Sequence, residues 1–476
     1  MKSRKDQVQA YFFVVGRLAA AVTHGKPDVL EAPTKRMTTG TVLGFVLAAV
    51  IMGVFGIFGM FVPPNGDSSW RQDGAIVMDK TSGARYVYLG GQLRPVLNYS
   101  SARLVSGQSG GKLTPVSPQA LAGTPVGQPI GIAGAPDSLP AADKVSTVRW
   151  TVCARSAGTA VPSEGSAVTL LLGQPDGAVL TDGQAFLVSA PGGRLYLVSR
   201  GKRFRVPSRS VAAALGYGAT RSVDVPSAWL NTIPQGPDLA APDIPGIGGP
   251  GPVVGGKQSL IGQIYQVRNS ALETEQNYLV RRDGLAVLSR TGAALLLAAP
   301  STRQAYPDGP IEPVRVGPDA LTGLSITAYA GLSSDLPPVP PEVVSPPSGT
   351  QPCVRQDVRL DGGQAPVAEL LPDNQVLQAS VPLGTHQTGT TADRVAIPAG
   401  GGVLARDLPA PGASGGVLYL VTEVGKKYPL ADAETVSALG YTGSTAVPVS
   451  SQLLNLLPTG PVLSVNAARQ TQAVRS

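Results

Sequence analysis

Thr41–Val62 reads TVLGFVLAAVIMGVFGIFGMFV and holds no charged residue. An apolar run of about 20 residues crosses a ~30 Å hydrocarbon core as one helix. Such a helix satisfies its own backbone hydrogen bonds in lipid, and Pro63-Pro64 stop it at once. No comparable run occurs elsewhere in the 476 residues. The chain therefore reads as a single-pass membrane protein with a short N-terminal piece and a long C-terminal one.

The flanks set the orientation. Residues 1–36 carry seven basic residues against three acids, and Lys35-Arg36 lie just before the span. The next basic residue is Arg71. Positive flanks stay cytoplasmic, so the N-terminus is expected inside and the chain from about Pro64 onward outside. A cleaved signal peptide fits poorly, because the apolar run is too long and no A-x-A-like site follows. The head supplies +4 of the net +7, leaving the rest near balance. That gives no electrostatic case for nucleic acid, and the head's charge suits anionic lipid headgroups.

In the head, Ser3-Arg4-Lys5-Asp6 has the spacing of a capping box. Val8, Tyr11, Phe12, Val15, Leu18 and Val22 then recur at helical spacing, and Gly25 and Pro27 end the segment. An amphipathic helix is expected from about Lys5 to His24. It either lies in the headgroup layer or docks a partner's cytoplasmic domain. Around the span, Gly40, Gly44 and Ala48 are four apart, as are Ala49 and Gly53. Small residues at that interval let helix backbones approach closely.

The long C-terminal piece is rich in Gly (58) and Pro (44) and poor in aromatics (5%), which favours many turns and short elements. It also repeats itself. Tyr196-Leu-Val-Ser leads through Leu215-Gly-Tyr217 to Val225-Pro-Ser-Ala-Trp-Leu230-Asn-Thr-Ile-Pro234. Tyr419-Leu-Val-Thr leads through Leu439-Gly-Tyr441 to Val449-Ser-Ser-Gln-Leu-Leu454-Asn-Leu-Leu-Pro458. The closing pattern recurs at Val116–Pro125 and, more weakly, at Val316–Leu321, and those two copies share openings at Tyr88-Leu and Tyr278-Leu. Four units in the order A-B-A-B follow, each too small to bury a core alone.

The expected order is residues 1–40 head, 41–62 span, 63–79 linker, 80–132 first unit, 145–193 first central segment and 194–239 second unit. Then come 240–269 Pro/Gly linker, 270–330 third unit, 331–352 Pro-rich linker, 353–416 second central segment, 417–463 fourth unit and 464–476 tail. The fold class expected is one transmembrane helix plus an α+β outer region, with two pseudo-symmetric halves around a central β-rich domain.

Few residues offer chemistry. The histidines are His24 and His386 only, and no G-x-S-x-G elbow accompanies the latter. Two cysteines and one outer histidine leave a zinc site a ligand short. Gly251-Pro-Val-Val-Gly-Gly256-Lys257 has phosphate-loop spacing, but Pro252 removes a donor and Gln258 stands where Ser or Thr would hold the metal ion. It reads as a linker. No catalytic residue, metal or cofactor is expected. Cys153 and Cys353 both follow the span, where disulfides persist. Pairing within the chain is the expectation, with two free thiols or a bridge across a dimer as alternatives.

The order of these features resembles the B component of the actinobacterial type VII (ESX) secretion membrane core. The resemblance rests on Ser3-Arg-Lys-Asp-Gln7-Val8-Gln-Ala-Tyr11, Arg17-Leu18, Pro33, Arg36, the single span, the four units and the paired cysteines. It implies assembly with the C, D and E core components, a dimerising extracytoplasmic domain in the inner membrane's outer compartment, and a mycosin protease as neighbour. In that family the repeats look like phage-lysin cell-wall-binding modules, which would make peptidoglycan a partner. Some members are described as ATPases, a label for which this chain offers only the degenerate Gly251, Gly256, Lys257 run.

Overall fold

A computed structural model describes residues 4–25, 33–61, 68–107, 111–145, 148–155, 167–173, 176–269, 273–329, 331–358, 365–384, 390–410, 413 and 415–472. Ser3, Val62 and His386 lie outside the described residues, as do the side chains of His24, Lys35 and Arg36. The chain divides into two units. One holds Met1–Gln72 with Val77–Ala84 and Thr114–Thr124, and the other holds the remainder.

In the first unit, helix α1 runs Arg4–His24 and α2 runs Pro33–Phe61. Gly25 ends α1 at φ +64, donating to the Ala21 carbonyl over 3.1 Å. Pro33 opens α2, where a missing N–H costs nothing. The apolar part of α2, Met37–Ile57, spans 21 residues, roughly 30 Å at helical rise. Thr41 Oγ1 donates to the Met37 carbonyl at 2.7 Å, so its hydroxyl is satisfied inside the helix. The helix starts eight residues before the expected span, because nothing at 33–40 breaks it.

The second unit is built from sheets that follow one plan. In the second sheet the strands lie in the order Lys202–Val206, Arg194–Ser199, Gln184–Ala190, Val223–Asp224, the last parallel to its neighbour. The fourth sheet repeats this with Lys426–Leu430, Leu418–Thr422, Gly402–Leu408 and Val447–Ser450, again parallel at the end. The third has Gly284–Leu288, Thr274–Arg281, Ile264–Asn269 and Val314–Val316, with Ile326–Ala328 added on the far edge. The hairpin Arg85–Leu89 and Gln92–Pro95 belongs to the first. After each hairpin comes a short helix with a side-chain cap. The caps are Asn98, Ser208, Ser289 and Asp432, each accepting from the backbone N–H three residues on.

Several boundaries differ from the expected ones. Gln184–Ala190 and Gly402–Leu408 were expected in the central segments, and Ile264–Asn269 in a linker; each is instead the inner strand of a four-strand plan. Phe186, Leu187, Val188 and Val403, Leu404, Ala405 are continuous buried runs, so no period-2 pattern marked them as belonging to a sheet with one wet face. The rest of 240–269 is also not a linker. Pro250–Val254 and Lys257–Leu260 form a hairpin. The expected 464–476 tail carries a helix, Val465–Ala468, and Thr471 bridges to Ile130.

The middle of this unit is one seven-stranded sheet. Its order is Val381–Pro382, Arg394–Ala396, Ala167–Leu172, Val148–Arg155, Thr350–Val358, Val367–Pro372, Ala178–Val179. Strands from the two ends of the sequence alternate in pairs across it. At its centre Cys153 lies opposite Cys353 in an antiparallel register, with Cα atoms 4.0 Å apart, and the two are disulfide-bonded. That short distance belongs to a non-hydrogen-bonded antiparallel pair, the site that brings side chains closest.

Non-reducing peptide mapping is expected to yield one peptide pair holding both cysteines, and thiol alkylation without reductant is expected to label neither. The bond closes a sequence separation of 200 residues, for which the chain-entropy estimate is about 5 kcal/mol. Cys153→Ala with Cys353→Ala should lower the denaturation free energy of the second unit by about 2–5 kcal/mol, measured by urea unfolding.

Candidate functional site: a cross-braced scaffold with exposed apolar helices

The two faces of the central sheet bury different things. Trp150, Val152, Val168, Leu170 and Val354 face the helices Ser227–Asn231 and Ser451–Leu454, which bring Trp229, Leu230, Leu453 and Leu454. The Trp229 indole N–H donates to the Val152 carbonyl at 2.9 Å. A single basic residue fastens each of those helices at its C-terminal end. Arg203 donates to the Leu230 carbonyl at 2.7 Å and to Asn231 Oδ1 at 2.8 Å. Lys427 does the same to Leu454 at 2.6 Å and Asn455 at 3.2 Å. A cation at the last carbonyls complements the helix dipole. Burial pulls the Lys427 ammonium pKa down, against Asp407, which raises it. On the opposite face the disulfide packs with Leu171, Leu371, Val376 and Ala396.

A second brace is reciprocal. Tyr217, in the second sheet's turn, donates to the Pro341 carbonyl at 2.8 Å. Tyr441, in the same place of the fourth sheet, donates to the Pro140 carbonyl at 2.7 Å. Each tyrosine thus holds the chain that enters the central sheet from the other end of the sequence. Both hydroxyls are buried, and burial pushes their pKa values above the ordinary tyrosine range.

The third brace is ionic. Glu369 lies opposite Cys353 in the sheet register and its side chain is 0% exposed. Its Oε2 accepts from Arg355 at 3.4 Å and from the Gly177 backbone N–H at 3.3 Å, while Oε1 has no hydrogen-bond partner. Arg355 also reaches Asp176 at 2.7 Å, and Arg149 joins Asp176 and Asp357, the latter at 3.1 Å. Burial raises the Glu369 carboxyl pKa, and the Arg355 charge opposes it.

The phosphate-loop candidate takes a different form. Val254 pairs with Lys257, so Gly255-Gly256 is a two-residue hairpin turn with φ +56 and +79. Both angles are positive, which the mirror-image turns of tight hairpins require. A phosphate loop joins a strand to a helix; this run joins two strands, and a Cβ at Gly251 would meet Val280 Cγ1 at 2.6 Å. Lys257 is exposed. Among the described residues no group of three His, Cys, Asp or Glu could hold a metal ion.

Val8, Tyr11, Phe12, Val15, Leu18 and Val22 are all exposed on α1, and so are Phe13 and Val14. The apolar surface is therefore broader than a stripe. Gly40, Gly44, Ala48, Ala49 and Gly53 are exposed on α2, and a Cβ at any of the three glycines meets nothing within 4 Å. Sequence reasoning missed Glu369, both tyrosines and the Arg203/Lys427 pair. The signal was there for the last three. Arg203 and Lys427 occupy one position of the aligned B units, as do Tyr217 and Tyr441.

These elements define a class: a membrane-anchored chain with one spanning helix and a rigid, sheet-rich outer region held by crossing braces. A family model described as "Type VII secretion system ESX-1, transport TM domain B" matches residues 2–475, and the chain belongs to that family. It is 31% identical to the ESX-3 secretion system ATPase EccB3 of Mycobacterium tuberculosis, over 97% of this chain and 88% of the relative. The ESX-1 secretion system ATPase EccB1 of the same organism is 28% identical, covering 98% and 94%. Its fold matches a chain of an intact ESX-5 inner membrane complex with a TM-score of 0.69 at 26% identity, covering 100% of this chain and 96% of that one. The EccB3 dimer from the ESX-3 core complex matches at 0.68 and 27% identity, covering 83% and 100%.

Two measurements follow. Tyr217→Phe and Tyr441→Phe each leave a proline carbonyl unpaired and should cost about 1–2 kcal/mol in urea unfolding, with wild-type secondary structure retained. The raised Glu369 pKa means that the folded state holds a proton the unfolded chain has released, so stability falls as pH climbs from the ordinary value of 4.5 toward the folded pKa. Glu369→Gln should flatten that stretch of the melting-temperature profile, and an unchanged slope would show the carboxyl ionises freely.

Proposed function

We propose that this chain is a structural subunit of a type VII secretion core in the inner membrane. It anchors by α2, keeps α1 in the cytoplasm and presents its braced region in the periplasm. The observation that carries this reading is the fold match over the full chain to a subunit of an intact ESX-5 inner membrane complex. The EccB3 chains of the ESX-3 core form a dimer, and self-association belongs to the reading. We extend it to the four-unit plan, read as two pseudo-symmetric halves. The C, D and E core components and a mycosin protease are proposed as partners. The exposed apolar surface of α1 is proposed as the docking element for a cytoplasmic domain, and the Gly40, Gly44, Ala48 and Ala49, Gly53 positions as a packing face for a neighbouring membrane helix.

Two other readings are weaker. Curated relatives carry "ATPase" in their names, but the one candidate nucleotide run here is a hairpin turn. A cell-wall anchor acting through the repeats rests on the unit plan alone.

Deletion of residues 1–36 should abolish co-purification with other core components while the outer region keeps its melting temperature. Full recovery of the complex without the head would refute docking by α1. Lys257→Ala should leave secretion and any nucleotide turnover at wild-type level. A reproducible ATPase activity lost in that variant would establish the hydrolase reading.

A further inference from the structure

The second sheet carries a cleft of about 610 Å³ beside the Tyr217 brace. Arg194, Arg205, Arg209 and Arg221 line it, and among the described residues no acidic one does. All four are exposed. Arg205 has a loose ion pair with Asp238 at 3.7 Å. The other three have no side-chain partner among the described residues. Ser189, Ser208, Thr220 and Ser222 add hydroxyls around the same cleft.

The fold does not require this charge. Strand registers align the second sheet with the fourth: Arg205 lies opposite Tyr196, and Pro429 opposite Tyr419. Val223 pairs with Val188, and Val447 with Ala405. Helix caps Ser208 and Asp432 correspond, nine residues before Tyr217 and Tyr441. By that alignment the four arginines stand where the fourth sheet has Val417, Pro429, Ala433 and Thr445. Two arginines lie at the corresponding part of the fourth sheet, and carbonyls hold both: Arg406, in the place of Ser189, donates to the Gly443 carbonyl at 3.1 Å, and Arg103 to the Leu439 carbonyl at 3.1 Å. The same scaffold is thus built once without uncompensated cations and once with them.

We infer that this cleft binds a phosphate-bearing anion. Guanidinium forks donate in parallel pairs to phosphate oxygens, and a phosphate offers enough oxygens to engage two or more of them with hydroxyl donors beside. A lone carboxylate is filled by one fork. The phosphate can come from a soluble or polymeric phosphate, or from a lipid headgroup. The inference does not depend on the secretion reading.

Full-length protein in phosphatidylcholine nanodiscs is titrated with pyrophosphate by calorimetry at fixed ionic strength, with chloride and oligoglutamate as comparators. One saturable pyrophosphate site is expected, tighter than oligoglutamate. Each of Arg209→Gln and Arg221→Gln should weaken it about tenfold, at the scale of one charge-assisted contact. These arginines are exposed, so the melting temperature should not move. Nanodiscs of phosphatidylglycerol separate the sources: lost pyrophosphate binding assigns the cleft to a headgroup, and retained binding to a non-lipid phosphate. No saturable binding, unchanged affinity in a variant carrying all four Arg→Gln changes, or preference for oligoglutamate would overturn the inference. The last result would assign the cleft to an acidic protein segment.

Discussion

Two strands that lie 200 residues apart in the sequence run side by side at the centre of this molecule, joined by the Cys153–Cys353 bond. Much of the second unit depends on that pairing. Because these two strands are neighbours, their own hairpin partners fall outward: Ala167–Leu172 on one side and Val367–Pro372 on the other. The outer positions are then filled crosswise. Arg394–Ala396 pairs with Ala167–Leu172, and Ala178–Val179 with Val367–Pro372. Neither half of the sequence can leave without unzipping interior strands. A sheet interleaved in this way couples its parts through backbone hydrogen bonds whose loss exposes apolar faces on both sides.

The units hang on this sheet unequally. The second and fourth send a terminal helix onto its face, with Trp229, Leu230, Leu453 and Leu454 fully buried there. These are the units with Arg203 and Lys427 at the helix ends. At the matching strand position the hairpin Arg85–Leu89 and Gln92–Pro95 has Leu93, which forms the same parallel bridge to Val126 that Arg203 forms to Gln235. The A and B units therefore share a strand plan but differ in what they hold. A units pack sideways: helix Tyr99–Ser106 contributes Ala102 and Leu104 to a core with Val436 and Leu439 of the fourth unit. Arg103 adds a 3.1 Å bond to the Leu439 carbonyl. Leu295 of the third unit joins the core of the second. Helix Tyr99–Ser106 thus packs with Val436 and Leu439, and Leu295 with Leu197 and Phe204.

Much of this was legible in the sequence, for identifiable reasons. The span and α1 carry strong one-dimensional signals, a charge-free run and a helical period. The B units announce themselves by near-gapless self-similarity, and the cysteines by being the only two beyond the span. What stayed hidden was the strand ahead of each Tyr-Leu hairpin. Phe186–Val188 and Val403–Ala405 are buried on both faces, and such runs carry no alternation by which to assign them to a sheet. The Gly255-Gly256 turn was read as linker because glycine pairs signal both loops and tight hairpins, and only the pairing of Val254 with Lys257 decides between them. Glu369 gave no signal at all. A glutamate in an apolar run is ordinarily an exposed position, and its burial follows from Arg355 on the neighbouring strand and the Gly177 backbone arriving from a distant segment.

Perturbed titratable groups gather at catalytic sites, but ion-pair networks that serve structure perturb them too. Here the two cases can be told apart by what each group touches. Lys427 ends on helix carbonyls, Tyr217 and Tyr441 on proline carbonyls, and Glu369 on Arg355 and a backbone N–H. The Tyr217, Tyr441 and Gly177–Glu369 contacts join segments far apart in the sequence, Lys427 fastens a helix to the strand beside it, and Arg355–Glu369 ties two neighbouring strands. A catalytic group needs an open side toward a substrate, whereas these side chains are buried, Glu369 completely. The desolvation that shifts their pKa values is the cost of placing polar braces inside a sheet-rich core, and it marks the places where the scaffold is tied.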